Sequence, residues 1–193
     1  HLDRPAASLD LVVAHLGNGA SISAIRGGRS VDTSMGLSPL EGLVMGTRCG
    51  DLDPTVVLML VRAGLAPDEV ETLLNRESGL KGICGDNDMR GIAERAANGE
   101  EAATLALEMF CYRVKKYVGG YLAVLGPVDG LVFTAGIGEN NAAVRHGVCA
   151  GLEHLGIVLD EDANTRREPG VRDLTGVGGR VPVYVVPTDE ELE

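Results

Sequence analysis

The sequence predicts an α/β fold, in which helices cover the faces of a mixed β-sheet, and three observations predict it. Short apolar runs with β-branched residues, typical of buried strands, occupy residues 9–14, 129–135 and 181–186. Two further strand-like segments flank Gly27-Gly28, which is a hairpin signal. Longer stretches with apolar residues at helical spacing fill much of the remaining chain.

The order of the first elements narrows the fold further. The first strand ends in a tight turn, His15 to Gly19, and the chain then enters the hairpin formed by residues 21–25 and 29–33 instead of a helix. Residues 34–51 are rich in glycine and predict a loop, which carries one arginine, Arg48.

Helix boundaries are marked by capping residues. Asp53 followed by Pro54 is an N-cap with proline at the first helical position, which predicts a helix over 54–62. Asp88 is the N-cap candidate for a helix over 89–97, after a loop at 81–88. Thr188 and Glu191 form a capping box, which predicts a helix starting where the chain ends. The other predicted helices are 67–77, stopped by Gly79, 100–125 and 142–154.

Composition excludes several classes of protein. The 17 Lys and Arg against 28 Asp and Glu give a formal net charge of −11, and aromatic residues make up 3% with no Trp. An acidic chain with few stacking platforms does not predict a nucleic-acid binder. The four cysteines contain no CxxC pair, which predicts reduced thiols in the cytoplasm rather than disulfides or a zinc site. No apolar run approaches the roughly 18–20 residues of a membrane span, so no membrane partner is expected.

Two predicted strands end in glycine segments of a type that binds phosphate. These segments are His15-Leu16-Gly17-Asn18-Gly19 and Gly136-Ile137-Gly138-Glu139-Asn140. Glycine lets backbone N–H groups come close to phosphate oxygens. The chain has no GxxxxGK[ST] motif, and its first segment lacks the third glycine of GxGxxG, so neither a P-loop nor a dinucleotide-binding unit is predicted. Each segment alone is equally well explained as an ordinary turn between strands.

Two charged residues are candidates for phosphoryl chemistry. Arg48 lies in a loop between glycines, and a guanidinium can hold the equatorial oxygens of a phosphoryl group in transfer. A solvated surface arginine is the alternative. Glu190 follows a strand end and can offer a carboxylate to Mg²⁺, although an acidic residue in a first helical turn also favours the helix dipole.

The sequence resembles the acetokinase family over nearly the whole chain, and specifically the C-terminal half of that family's members. The matching stretches are HLGNGASI (15–22), VDTSMGLSPLEGLVMGTRCGDLDP (31–54), DMR (88–90), FTAGIGEN (133–140) and VPTDEEL (186–192). The resemblance implies an RNase H-like mixed sheet of the acetate and sugar kinase/Hsp70/actin type, with helices on its faces. The strand, glycine turn and hairpin at the start of the chain agree with that fold.

The resemblance also implies roles for residues at the matching positions. The segment from His15 to Gly19 would contact the phosphates of ATP, and Arg48 would stabilise the transferring phosphoryl group. Glu190 would bind Mg²⁺, with Mn²⁺ as an alternative metal. The adenosine pocket would be lined by Asp88, Met89, Arg90, Gly136, Ile137, Gly138, Glu139 and Asn140. The implied reaction is ATP + acetate ⇌ ADP + acetyl phosphate by in-line transfer, and we expect Asn18, Gly138 and Arg48 to face one nucleotide.

The acyl-substrate side of such a kinase has no counterpart in this sequence. The family's N-terminal domain and its C-terminal helix do not match any part of residues 1–193. We therefore expect these residues to be the nucleotide-binding C-terminal domain of a larger two-domain kinase, with little or no turnover alone. The resemblance implies a homodimer, and the long helix at 100–125 could face the second copy. A propionate or butyrate kinase, or a non-catalytic actin- or Hsp70-like nucleotide-binding module, stays open.

Overall fold

A computed structural model of the chain describes residues 2–188, which group into two compact units. The first unit contains the described residues of His1–Gly17, Ser21–Thr33 and Cys111–Glu193. The second unit contains Asn18–Ala20 and Ser34–Phe110.

The described elements alternate between strands and helices along the chain. The strands are β1 (Leu11–Leu16), β2 (Ala20–Arg26), β3 (Arg29–Thr33), β4 (Gly130–Thr134), β5 (Arg172–Asp173) and β6 (Val183–Val185). The helices are α1 (Pro54–Arg62), α2 (Pro67–Arg76), α3 (Gly79–Cys84), α4 (Met89–Ala97), α5 (Glu101–Leu125), α6 (Ala135–Asn140), α7 (Ala142–Cys149) and α8 (Glu161–Thr165). Short 3₁₀ turns occur at Ala6–Ser8 and Glu153–Leu155.

Within residues 2–188 the strands form one six-stranded sheet in the order β3-β2-β1-β4-β6-β5. β1 and β6 both pair in parallel with β4, whereas β2–β3 and β5–β6 are antiparallel pairs. The β2–β3 turn uses Gly27 and Gly28, whose φ angles of 56° and 73° suit glycine in a tight hairpin turn. The mixed sheet with helices that the sequence predicts is confirmed.

The central strands of this sheet are buried on both faces, and one row of core side chains crosses three of them. The register pairs Ala14 of β1 with Phe133 of β4, and Phe133 with Val185 of β6, so that the three side chains form one row. Their exposed fractions are 2% or less. Burial of this apolar row stabilises the unit and fixes the register of the three parallel strands, because a one-residue slip would turn it towards the other face.

The core of the second unit is built from loop and helix residues. Leu43 and Met45 of the long loop are buried, as are Leu80 of α3 and Met89 and Ile92 of α4. The loop at 34–51 is therefore held by its own apolar side chains, and its middle part carries Arg48.

Most predicted helices are confirmed, and three expectations were wrong. α1 and α4 begin and end where the caps predict, with the side chains of Asp53 and Asp88 accepting from the N–H groups of Thr55 and Arg90. Gly79 is the first residue of α3 and not the stop of the preceding helix, so part of the loop expected at 81–88 is helical. The helix expected over 142–154 ends at Cys149. The segment 136–140 is also helical, in α6, where a glycine turn was expected.

Candidate functional site

The strands that lead into the two glycine segments, β1 and β4, are parallel neighbours in the sheet of the first unit. β1 and β4 are paired so that His15 lies opposite Thr134, and the carboxyl ends of the two strands therefore meet at one edge of the sheet. A Cβ atom built on Gly138 would lie 3.4 Å from the carbonyl carbon of Phe133 and 3.7 Å from the carbonyl oxygen of Ala14. The backbone of α6 thus packs directly on the strand ends, which is where ligands bind in open α/β sheets.

The chain passes from β4 into α6 without a loop because the backbone changes direction at one residue, Ala135. Thr134 is still extended, whereas Ala135 has φ +64°, in the left-handed region that glycine prefers. The N–H of Ala135 donates to the hydroxyl of Thr188 at 2.8 Å, and the hydroxyl oxygens of Thr134 and Thr188 are hydrogen-bonded to each other at 2.6 Å. These contacts offset the cost of the unusual backbone angle at the strand end.

Arg145 of α7 holds the far end of α6, and sequence analysis missed it. Its guanidinium is 2% exposed and donates to the carbonyl oxygens of Gly138 (2.8 Å) and Glu139 (2.9 Å). It also donates to the side-chain and backbone oxygens of Asn164, at 2.7 Å each. Burial is the main reason why the pKa of Arg145 falls to about 10, which still leaves the group charged at neutral pH. The only signal in the sequence was that this charged residue directly follows Val144, an apolar residue of the core.

Glu139 connects α6 to the chain that follows β6. Its carboxylate accepts a hydrogen bond of 2.8 Å from the N–H of Thr188. Thr188 is thus held by its backbone at Glu139 and by its hydroxyl at Ala135. Glu190, the predicted metal ligand, lies two residues further on and outside the described residues, as does Glu191 of the predicted capping box.

In the second unit, the turn after β1 contacts the loop that carries Arg48. The carbonyl of Asn18 accepts a hydrogen bond of 3.1 Å from the N–H of Gly46. A Cβ atom on Gly46 would come within 2.0 Å of Oδ1 of Asn18, so only glycine leaves room for this side chain in its present position. Asn87 donates to the same Oδ1 at 3.4 Å. Asn18 and Gly19 are themselves exposed and available to a ligand.

Arg48 lies beside this turn. A Cβ atom on Gly19 would be 3.8 Å from Nη1 of Arg48, and the same nitrogen lies 3.6 Å from the sulfur of Met45. Arg48 is half-buried and lines a cavity of about 590 Å³ with polar residues of α2. The other lining residues are Thr47, Asp68, Glu71, Thr72, Asn75 and Arg76. The structure therefore places Arg48 beside the Asn18–Gly19 turn, whereas the expectation that Gly138 faces the same nucleotide stays a prediction.

The segment Asp88–Arg90 opens α4. Asp88 and Arg90 are exposed and form an ion pair of 2.7 Å. The hydrogen bonds from the Arg90 side chain, and secondarily from its backbone N–H, lower the pKa of Asp88 to about 2. The side chain of Met89 is 2% exposed and belongs to the core, so a contact of this residue with a nucleotide would be made by its backbone. The side chain of Leu16 is 0% exposed, and the same holds for this residue.

Between residues 2 and 188, no three His, Cys, Asp or Glu side chains stand close enough together to hold a metal ion. No helix in that same range has the length and apolarity to cross a membrane.

Comparison with known proteins gives consistent matches. The chain is 58% identical to an acetate kinase of Streptomyces avermitilis and 55% identical to an acetate kinase of Syntrophobacter fumaroxidans. Both alignments cover 100% of this chain but only 48% and 47% of those proteins. The chain thus spans about half the length of the curated relatives it matches.

Solved structures agree with these relatives. The fold is similar to that of Porphyromonas gingivalis acetate kinase, with a TM-score of 0.91 and 46% identity over 96% of this chain and 47% of that chain. It is also similar to a propionate kinase from Francisella tularensis, with a TM-score of 0.90 and 43% identity over 95% of this chain and 47% of that chain. The acetokinase family itself matches residues 1–193. From its fold, its site residues and these matches, we conclude that the chain belongs to the acetokinase family.

Proposed function

We propose that the chain is the nucleotide-binding C-terminal domain of a two-domain kinase that transfers a phosphoryl group between ATP and acetate. The observation that carries this proposal is the proximity of Arg48 to the exposed Asn18–Gly19 turn in the second unit. A guanidinium beside a glycine turn can neutralise the oxygens of a phosphoryl group that the turn's N–H groups hold. Family membership supports the choice of this chemistry.

In this mechanism the chain's own residues bind and orient the nucleotide. Asn18 and Gly19 hold the phosphates through backbone N–H groups and the side-chain amide of Asn18, and Arg48 stabilises the charge that spreads over the phosphoryl oxygens during in-line transfer. His15 and Gly17 lie at the same strand end, and their roles towards the phosphates follow from the family resemblance. The segments Asp88–Arg90 and Gly136–Asn140 bind the adenosine through their exposed atoms.

The family resemblance implies a divalent metal, for which this chain offers one predicted protein ligand. Mg²⁺ in nucleotide sites is commonly held by one or two carboxylates together with phosphate oxygens and water. The predicted protein ligand is one carboxylate, that of Glu190, which lies outside the described residues. The fixed position of Thr188, two residues earlier, supports this assignment. Such a metal would neutralise the phosphate oxygens, and Mn²⁺ can take the same place.

Replacement of Arg48 tests the proposal. In the natural protein, Arg48→Ala should lower kcat by about 10³-fold or more, while the Kd for ATP measured by calorimetry stays within about three-fold. A non-catalytic nucleotide-binding module would show no such difference between the two quantities. The isolated 193 residues should bind Mg·ATP but show little turnover, because positioning of the acyl substrate needs groups beyond those described here.

One comparison, the similarity to a propionate kinase, favours propionate as an alternative acyl substrate. Steady-state kinetics of the natural protein with acetate, propionate and butyrate decides between the alternatives. The highest kcat/KM identifies the substrate, and we expect it for acetate because curated relatives at 55% and 58% identity are acetate kinases.

We further propose that the protein is a cytoplasmic homodimer, as the resemblance implies. Free cysteines at four positions support a reducing compartment. Large apolar side chains are exposed on α1 (Leu58 and Met59) and on α5 (Leu105 and Met109), with exposed fractions of 40% to 61%. Light scattering should give twice the chain mass, Met109→Lys should weaken the dimer, and the neighbouring Glu108→Lys should not. A monomer at tens of micromolar would contradict this proposal.

A further inference from the structure

The loop that carries Arg48 is attached to the corner between α2 and α3, a segment that we define as Leu74–Lys81. Ser78 donates its N–H to the carbonyl of Thr47 (3.1 Å), and Leu74 accepts from the N–H of Cys49 (3.1 Å). The N–H groups of Leu80 and Lys81 donate to Met45 (3.0 Å) and Gly46 (2.9 Å). The residues on both sides of Arg48 are therefore fixed to the α2–α3 corner through the backbone.

One side chain adds to this attachment. The hydroxyl of Thr47 donates to the carbonyl of Asn75, in the last turn of α2, at 2.9 Å. This carbonyl lies near the end of the helix, where backbone oxygens lack partners within the helix. Thr47 is the residue directly before Arg48, and its hydroxyl and carbonyl both bind the corner. These two hydrogen bonds therefore fix the position of the backbone at Arg48.

Gly79 permits the corner to come this close. Its φ is +63°, which glycine adopts without strain. A Cβ atom there would lie 2.2 Å from the carbonyl oxygen of Met45 and 2.7 Å from that of Arg48. Both are backbone atoms, which cannot rotate away as a side chain can. Any side chain at position 79 would push the Arg48 loop out of place.

We propose that Thr47 is a positioning residue for Arg48, and that its hydrogen bond to Asn75 sets where the guanidinium stands during phosphoryl transfer. This inference rests on the proposed function, because it assigns Thr47 an effect on the step that Arg48 serves. An arginine side chain is long and flexible, so the place and direction of its backbone decide which positions its guanidinium can reach. Small displacements of a catalytic group reduce the rate strongly, by as much as about 10²-fold for 1 Å.

The test compares three threonine variants in the natural protein. Thr47→Val keeps the shape but removes the hydroxyl, and it should lower kcat by about ten-fold while the KM for ATP stays within about two-fold. Thr47→Ser restores the hydroxyl and should recover kcat to within about three-fold of the parent. Thr104→Val is the matched control, because Thr104 makes the same type of bond, from its hydroxyl to the carbonyl of Glu100, at 2.9 Å in α5. It should leave kcat unchanged.

A double-mutant cycle separates positioning from general damage. If Thr47 acts through Arg48, then Thr47→Val should cause no further loss of kcat in an Arg48→Ala background. An equal ten-fold loss in both backgrounds would overturn the inference, as would an unchanged kcat in Thr47→Val alone. An Arg48→Ala variant with normal kcat would instead refute the proposed function itself, so the two failures are distinguishable.

Discussion

The N–H of Gly46 donates a hydrogen bond to the carbonyl of Asn18, and the missing side chain of Gly46 leaves the space that the Asn18 amide occupies. This relationship joins the turn after the first strand to the loop that carries Arg48, two segments about 28 residues apart in the chain. Both lie in the second unit. Glycine is therefore required at position 46 because it leaves room for the Asn18 side chain, and not because its backbone is flexible.

Gly46→Ala should displace Asn18 and weaken nucleotide binding. The new Cβ would come 2.0 Å from Oδ1 of Asn18, and this exposed amide would rotate away at little cost in stability. We expect the Kd for ADP, measured by calorimetry, to rise about ten-fold, because a phosphate contact is lost. Gly119→Ala is the control, since nothing lies within 4 Å of its added Cβ. Unchanged ADP binding in Gly46→Ala would show that Asn18 does not contact the nucleotide.

Removal of Arg145 should destabilise the first unit. Arg145→Met leaves the buried oxygens of Gly138 and Asn164 without this donor, whereas the carbonyl of Glu139 keeps a second donor in Arg172, and each buried oxygen that loses its donor costs about 1–3 kcal/mol. We expect the free energy of unfolding in urea to fall by about 3 kcal/mol or more. Arg167, an exposed arginine in the same unit, provides the control, and Arg167→Met should stay within about 0.5 kcal/mol of the parent.

The carboxyl of Asp88 should titrate at an unusually low pH. Hydrogen bonds from Arg90 lower its pKa to about 2, below the value of about 3.9 for an unfolded aspartate. The interaction therefore stabilises the folded chain above about pH 4, and this contribution is lost as the pH falls from about 4 to about 2. NMR titration of Arg90→Gln should show the pKa of Asp88 moving upwards. Asp53, whose pKa is lowered by Thr55, should titrate as before.

Loss of the Glu139 carboxylate should raise the requirement for metal. Glu139→Ala removes the acceptor of the Thr188 N–H, which is one of the three hydrogen bonds that hold Thr188. We expect the Mg²⁺ concentration for half-maximal activity to rise by about ten-fold, a usual effect of groups that orient a metal ligand. Glu139→Gln keeps an oxygen at the same place and should behave like the parent. An equal rise in both variants would contradict this explanation.

One cysteine should react well before the other three. Cys49 is half-buried, whereas Cys84, Cys111 and Cys149 are buried, with exposed fractions of 8% or less. Burial also raises the pKa of Cys149 to about 12, so its thiol remains protonated and unreactive at pH 8. Mass spectrometry after brief iodoacetamide treatment should show one modified cysteine, Cys49, in the native protein and four after denaturation. Early labelling of Cys149 would show that the core of the first unit opens readily.

Local sequence signals predicted those elements whose causes are local. α1 starts at Pro54 because Asp53 caps it, and α4 starts at Met89 because Asp88 does the same. α3 was missed because two glycines within four residues suggest a loop. It forms because the first N–H groups of the helix donate to carbonyls of the distant Met45–Gly46 segment, and no local pattern records such partners.

The sequence predicted only part of the candidate site. The sequence indicated Asn18, Gly19 and Arg48, since glycine-rich segments and a lone arginine are visible in the chain itself. Arg145 was not foreseen, and Thr188 was expected only as a helix cap. Their partners lie up to 19 and 54 residues away, and their contacts depend on strand register that only the folded chain fixes.

Helix α1 exposes aliphatic side chains on a chain whose formal charge is −11. Mutual repulsion keeps such molecules dispersed in dilute buffer. Added sulfate would screen that repulsion and at the same time make the hydration of Leu58, Met59 and Val61 less favourable. Purification by salting-out should therefore succeed at modest sulfate concentrations, and storage should favour low ionic strength.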